Sequence, residues 1–117
     1  MLSLSPNVQI YLCTASTDMR KSFDGLSALV TSVMNQELLS GHLFLFLNRR
    51  RDHIKLMSWD RDGLAIWYKR LESGTFEVPS ASPDQSYLEL DATQLALVLN
   101  GISLESAKRR KRYSIAS

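Results

Sequence analysis

Cysteine occurs once, at Cys13, so no intramolecular disulfide can staple this chain. Histidine occurs only at His42 and His53, and a zinc site of ordinary ligand count would have to recruit carboxylates as well. Three prolines and five glycines in 117 residues exclude collagen-like and low-complexity architectures. No apolar run approaches the ~18 residues of a membrane span. The N-terminus lacks the charged-then-apolar order of a signal peptide, because Pro6 and Asn7 follow only a few residues of mixed character. Glycine-rich phosphate loops, G-x-S-x-G and H-E-x-x-H are all missing. These absences lead us to expect a reduced, cytoplasmic protein with no membrane association, no cofactor, no bound metal and no enzymatic activity.

What is present suits one globular domain. Hydrophobic residues make up 44% and charged residues 22% of a 13.3 kDa chain, enough to bury a core without a metal. The net charge of +2 is a cancellation between blocks. Residues 1–47 carry Arg20 and Lys21 against Asp18, Asp24 and Glu37, a net of −1. Residues 48–70 carry Arg49, Arg50, Arg51, Lys55, Arg61, Lys69 and Arg70 against Asp52, Asp60 and Asp62, a net of +4. Residues 71–105 hold Glu72, Glu77, Asp84, Glu89, Asp91 and Glu105 with no base, a net of −6. Lys108, Arg109, Arg110, Lys111 and Arg112 then give residues 106–117 a net of +5. Segregated charge of this kind presents separate basic and acidic surfaces to partners.

Periodicity divides the chain into elements. Val8, Ile10 and Leu12 alternate with Gln9, Tyr11 and Cys13, the pattern of a strand. Thr17 is placed to cap a helix over about 18–36, with Met19, Phe23, Leu26, Val30 and Val33 as its apolar stripe. Gly25 within it costs about 1 kcal/mol relative to alanine, which marks a close approach. Residues 42–78 read as an antiparallel meander. It comprises the doubly apolar strand His42–Leu47, the charged turn 48–52, strands over 53–59 and 64–71, and a short strand over 75–78. Asp62-Gly63 supplies the turn between the middle two, with the positive φ assigned to the glycine. Asp91 and Gln94 form a capping box for a second helix over about 92–100, with Leu95, Leu99 and Ile102 on its apolar side. The expected fold is a single α+β domain over 1–105, with a four- or five-stranded, mainly antiparallel sheet and two packed helices. The strand near 8–12 joins the sheet beside the meander, and residues 106–117 form a flexible basic tail.

The chemistry on offer is that of binding. The Asp60/Asp62 pair fits a hairpin turn better than a cation site. His42 and His53 read as ordinary edge histidines, and Cys13 as a small hydrophobe. Arg49, Arg50 and Arg51, with Lys55, Lys69 and Arg70 on neighbouring strands, can form a phosphate-contacting ridge, since guanidinium is a permanently charged planar fork. Trp59, Trp67 and Tyr68 lie in the same hairpin and can stack on bases, although core packing accounts for two of the three. A solvated turn guarding a sheet edge explains the arginines equally well. Nothing nearby neutralises Lys108–Arg112, a run suited to nonspecific nucleic-acid binding or to docking on the acidic segment.

Several blocks, in one order, resemble a known family. They are Thr17-Asp18-Met19-Arg20-Lys21-Ser22-Phe23-Asp24-Gly25-Leu26, Ser40-Gly41-His42-Leu43-Phe44, and Asn48-Arg49-Arg50-Arg51-Asp52. Lys55-Leu56, Trp59-Asp60, Asp62-Gly63-Leu64 and Tyr68-Lys69-Arg70-Leu71-Glu72-Ser73-Gly74-Thr75-Phe76 continue the series. Together they resemble the small accessory protein encoded by the second open reading frame of bacterial insertion sequences of the IS66 class. Ser22 and Thr75 stand where that family more often has Gly and Arg, and the basic tail is the least family-like part. The resemblance implies a non-catalytic accessory role in DNA transposition, beside a separate and larger transposase polypeptide that carries the strand-cutting carboxylates. It transfers no catalytic residues. The partners it implies are DNA, the transposase and another small element-encoded protein, with homo-oligomerisation left open. A protein–protein adaptor that docks the transposase through the acidic 71–105 stretch, without touching nucleic acid, is the alternative reading.

Overall fold

Residues 43–47 read Leu-Phe-Leu-Phe-Leu, apolar on both faces of a pleated strand, so the segment can be stable only with cover on both sides. The computed structural model, which describes residues 7–100, builds the domain around that requirement. The strands are β1 (Ile10–Cys13), β2 (Leu43–Leu47), β3 (His53–Asp60), β4 (Gly63–Arg70) and β5 (Tyr87–Leu90). They form one sheet in the order β4-β3-β2-β1-β5. The helices are α1 (Phe23–Ala28), continued by a π-helical turn over Leu29–Val33, and α2 (Ala92–Asn100).

The two faces carry two cores. Leu43, Leu45 and Leu47 pack with Ile10, Leu12, Ile54, Leu56, Leu90 and Phe76, under Leu95 and Val98 of α2. Phe44 and Phe46 pack with Tyr11, Cys13 and Met57, under Leu26, Val30 and Met34. β1 lies parallel to β2, with Ile10 opposite Leu43 and Leu12 opposite Leu45. The long α1-containing connection over 14–42 makes this geometry possible. β2, β3 and β4 form the expected antiparallel meander.

Four local expectations are corrected. The first helix starts at Phe23, because Thr17 is buried and its N–H donates to Leu47 O across the end of the sheet. Asp18 holds the approach instead as a turn, accepting from Arg20 N at 2.9 Å and, through its carbonyl, from Lys21 N at 3.0 Å. The π turn, closed by Met34 N on Leu29 O at 2.9 Å, widens the coil. The buried stripe is therefore Leu26, Val30 and Met34, while Phe23 and Val33 are exposed. In the β3–β4 hairpin Arg61, at φ 58°, takes the left-handed conformation assigned to Gly63. The fifth strand is 87–90, pairing antiparallel with β1. Among the described residues, 75–78 pair with no strand: Gly74 turns at φ 78° and Phe76 N donates to Arg51 O at 2.7 Å.

Two further local expectations hold. Gly25 is a close approach: a Cβ there would sit 3.0 Å from Cβ of Lys21. The capping box forms, with Gln94 N donating to Asp91 Oδ1 at 2.7 Å and Asp91 N to Gln94 Oε1 at 2.9 Å. Ile102 and the basic run Lys108–Arg112 lie outside the described residues.

Candidate nucleic-acid interface

The arginine turn is held from beneath by one side chain. Asn48 Oδ1 accepts from both Asp52 N and His53 N at 3.0 Å, and its Nδ2 donates to Asp52 Oδ1 at 2.6 Å. That amide, followed by the neighbouring His53 and Arg50, holds the Asp52 carboxyl below the usual carboxylate range. Arg51 N closes the turn on Asn48 O at 3.1 Å, and Arg51 sits at φ 58°. A non-glycine residue in that region costs roughly 1 kcal/mol or more and persists only where its surroundings fix it. Here the bond from Phe76 N to Arg51 O fixes it. The N–H groups of Arg51, Asp52 and His53 are thus bonded within the turn, and all three arginines are exposed. Among the described residues none of their guanidiniums makes an ion pair.

The turn straddles the end of the sheet at which the parallel strands β1 and β2 finish. On the α1 side, Arg49 and Arg50 line a cleft of about 360 Å³ with Ser16, Asp18, Met19 and His53. On the α2 side, Arg49 and Arg51 line a cleft of about 590 Å³ with Thr14, Ser16 and the loop from Val78 to Ser86. Arg49 belongs to both.

The other expected cations are distributed unevenly. Lys55 is only 7% exposed, and its Nζ donates at 2.8 Å to both Met19 O and Lys21 O. It therefore stands inside the molecule, where it pins the segment leading into α1 to the sheet. Arg70 is exposed but grips Glu72, with Nη2 at 2.8 Å and Nε at 3.0 Å from Oε1. Lys69 is exposed, and strand alternation puts it on the sheet face opposite to Arg70. Arg20 is held by Asp18, whose carboxyl is drawn down to about 2 chiefly by that guanidinium's hydrogen bonds.

The aromatic residues separate as well. Trp67 packs against the α2-side core, and Trp59 is half-buried opposite Leu64 at the far end of the hairpin. Tyr68 is 48% exposed. Its hydroxyl is 2.6 Å from His53 Nδ1, and Lys55 Nζ lies 4.8 Å from its ring centroid. Sequence reasoning does not single out this Tyr68–His53–Lys55 group or the Asn48 brace. A signal for the first is present, since a two-residue loop between Asp60 and Gly63 sets Lys55 opposite Tyr68 and His53 opposite Arg70. His42, in contrast, accepts from Gln9 N at 3.1 Å and rests edge-on to Tyr11, a structural role. Cys13 is buried, which pushes its thiol pKa up. Among the described residues no three of His, Cys, Asp and Glu are grouped so as to hold a metal, and no helix is long and apolar enough to cross a membrane.

Comparison with known proteins supplies the setting. No solved structure matches the chain. Two similar proteins come from Sinorhizobium fredii (strain NBRC 101917 / NGR234). The uncharacterized protein y4hO is 34% identical over 102 residues, spanning 87% of each chain. The uncharacterized protein y4jC is 29% identical over 110 residues, spanning 94% of this chain and 92% of its own. The family described as IS66 Orf2 like protein matches residues 8–109, which takes in the arginine turn, both clefts and the whole sheet. The chain belongs to the IS66 Orf2-like family, the accessory proteins of insertion-sequence transposition.

Proposed function

We propose that this accessory protein acts by binding DNA, alone or within the transposase–DNA complex, through the turn Arg49–Arg51. The observation that carries the reading is three consecutive exposed guanidiniums on a turn whose backbone is braced by Asn48 and Phe76, with no ion pair among the described residues to occupy them. A solvated turn serving only to protect a sheet edge would not need a strained Arg51 held in place by a second segment. Arg70 and Lys69 flank the site, and Lys108, Arg109, Arg110, Lys111 and Arg112 add charge that strengthens attachment without specificity. Lys55 acts as a positioning residue beneath this surface.

The test is binding to duplex DNA over a salt series, with the parent chain and Arg49→Ala/Arg50→Ala/Arg51→Ala. Each phosphate that the protein no longer neutralises flattens the slope of log K against log salt by about 0.9, so the triple variant should show roughly two to three such steps. Unchanged affinity and slope would remove the turn from the interface. The second reading, an adaptor for the transposase, draws on Asp84, Glu89 and Asp91, which are exposed on and beside the edge strand β5. Capture of the transposase that survives nuclease treatment and disappears when these three acids are neutralised would favour it.

A further inference from the structure

We propose that the exposed Tyr68 is a stacking platform for an unpaired base, beside the α1-side cleft, which takes the adjoining phosphate of single-stranded DNA. This rests on the DNA-binding reading above and specifies which form of DNA the cleft is built for.

The ring is held on two sides. Its hydroxyl is tied to His53 Nδ1 at 2.6 Å, and the His53 ring lies 5.7 Å away at a tilt of 37°. Lys55 Nζ stands over one face, 4.8 Å from the centroid, and is itself fixed by Met19 O and Lys21 O. The remaining surface, 48% of the residue, is open. Immobilising an aromatic side chain on binding ordinarily costs conformational entropy, and here folding has already done so. A lysine buried under a half-exposed tyrosine has a purpose if it fixes the plane of the ring and holds positive potential beside it.

The cleft provides the matching phosphate site. His53, which holds Tyr68, lines the same cleft as Arg49 and Arg50. That cleft, of about 360 Å³, is shallow and open to solvent, which leaves room for a strand to pass over it. Arg70 stands cross-strand from His53 on the Tyr68 face, but its charge is already paired with Glu72, so the phosphate falls to Arg49 and Arg50. A backbone phosphate at Arg49 and Arg50 with its base over Tyr68 uses every one of these features. Duplex DNA would use only the arginines, because its base faces are covered by stacking within the helix, and binding phosphate alone needs no aromatic surface.

The experiment measures binding of the full chain, by fluorescence anisotropy, to a labelled 12-nucleotide oligodeoxythymidine and to a mixed-sequence duplex of equal length. The parent is compared with Tyr68→Ala, Tyr68→Leu and Tyr68→Phe, each first checked for parental near-ultraviolet circular dichroism. Base–aromatic stacking predicts a loss of about 5- to 150-fold in single-strand affinity for the Ala and Leu variants. Their duplex affinity should stay within about twofold of the parent. Tyr68→Phe keeps the ring and should remain within roughly threefold on both. Unchanged single-strand binding in the Ala and Leu variants overturns the platform, as does an equal loss on both DNAs. If the parent binds neither DNA, the broader DNA-binding reading fails with it. If duplex binding depends on Arg49–Arg51 while Tyr68 has no effect on the single strand, only the platform fails.

Discussion

Replacing Lys55 by Met separates an interior brace from a surface phosphate ligand, because the two roles predict opposite results in two assays. Methionine keeps the length and apolar stem of the side chain while removing the ammonium. The structure gives that ammonium two hydrogen bonds at 2.8 Å, to Met19 O and Lys21 O. Hydrogen bonds to charged groups contribute about 1.5–3 kcal/mol each, a gross of roughly 3–6 kcal/mol. Against this stands relief from keeping a cation in a position only 7% exposed, since removing a charge from water costs several kcal/mol. Lys21 is exposed and Met19 half-buried, so water can reach the freed carbonyls in part. A net loss of about 2–3 kcal/mol remains, which for a domain this size lowers the melting temperature by roughly 8–12 °C. Urea denaturation should show the midpoint falling with little change in slope. Below the melting transition, duplex-DNA binding should keep the parental salt slope, because no exposed charge has been removed. A variant as stable as the parent, with a slope flatter by about 0.9, would refute the brace and restore Lys55 to the surface ridge.

Two further predictions test the first helix and its approach. Met34→Ala should destabilise by about 2–5 kcal/mol, as for other fully buried large-to-small changes, whereas Val33→Ala, at an exposed site, should stay within about 0.5 kcal/mol. Equal costs in chemical denaturation would mean that the π turn does not select Met34 for the core. The Asp18 carboxyl, drawn to about 2 from an ordinary 3.8 by Arg20, contributes stability that is complete above about pH 4 and is lost as pH falls through about 2. Denaturation midpoints of the parent and Asp18→Asn between pH 5 and 2 should therefore converge toward the acid end. A gap that stays constant over that range would show that the Asp18–Arg20 pair has no thermodynamic weight.

The parts of this fold legible in the sequence are those fixed by local patterning. Alternation in 8–13, 53–59 and 64–71 and the doubly apolar run 42–47 locate four strands, and Asp91 with Gln94 marks the start of α2 as the capping box that forms. Tertiary bonds decided the rest. Thr17 has the chemistry of a helix cap, yet its N–H belongs to Leu47 O across the sheet, and the helix waits until Phe23. Residues 75–78 have strand-forming side chains, but they pair with no strand among the described residues, and Phe76 N is taken by Arg51 O. Tyr87–Leu90 is a strand because β1 offers it an edge, a fact that lies some seventy residues upstream. The site divides in the same way. Exposure of Arg49–Arg51 follows from a charged turn, and the pairing of Lys55 with Tyr68 follows from the hairpin loop length. The burial of Lys55 does not, because it depends on the segment before α1 crossing over the sheet.

The charge blocks also take on a meaning in space that they lack along the chain. The acidic stretch after β4 returns to the basic end of the sheet: Glu72 holds Arg70, and Asp84 lines the α2-side cleft shared with Arg49 and Arg51. An aspartate also lines the α1-side cleft, but Asp18 is already engaged by Arg20 through an ion pair at 2.6 Å and two further bonds. The difference matters for a phosphate backbone. On the α2 side an approaching phosphate meets Asp84, which has no ion-pair partner among the described residues, and like-charge repulsion there opposes the attraction of Arg51. On the α1 side the carboxylate is compensated before the ligand arrives, so Arg49 and Arg50 act on the phosphate with less opposition. Arg49 is common to both clefts, which leaves Arg50 and Arg51 to report the path: the strand that follows the α1 side should depend on Arg50 more than on Arg51, and it is this side that leads to Tyr68.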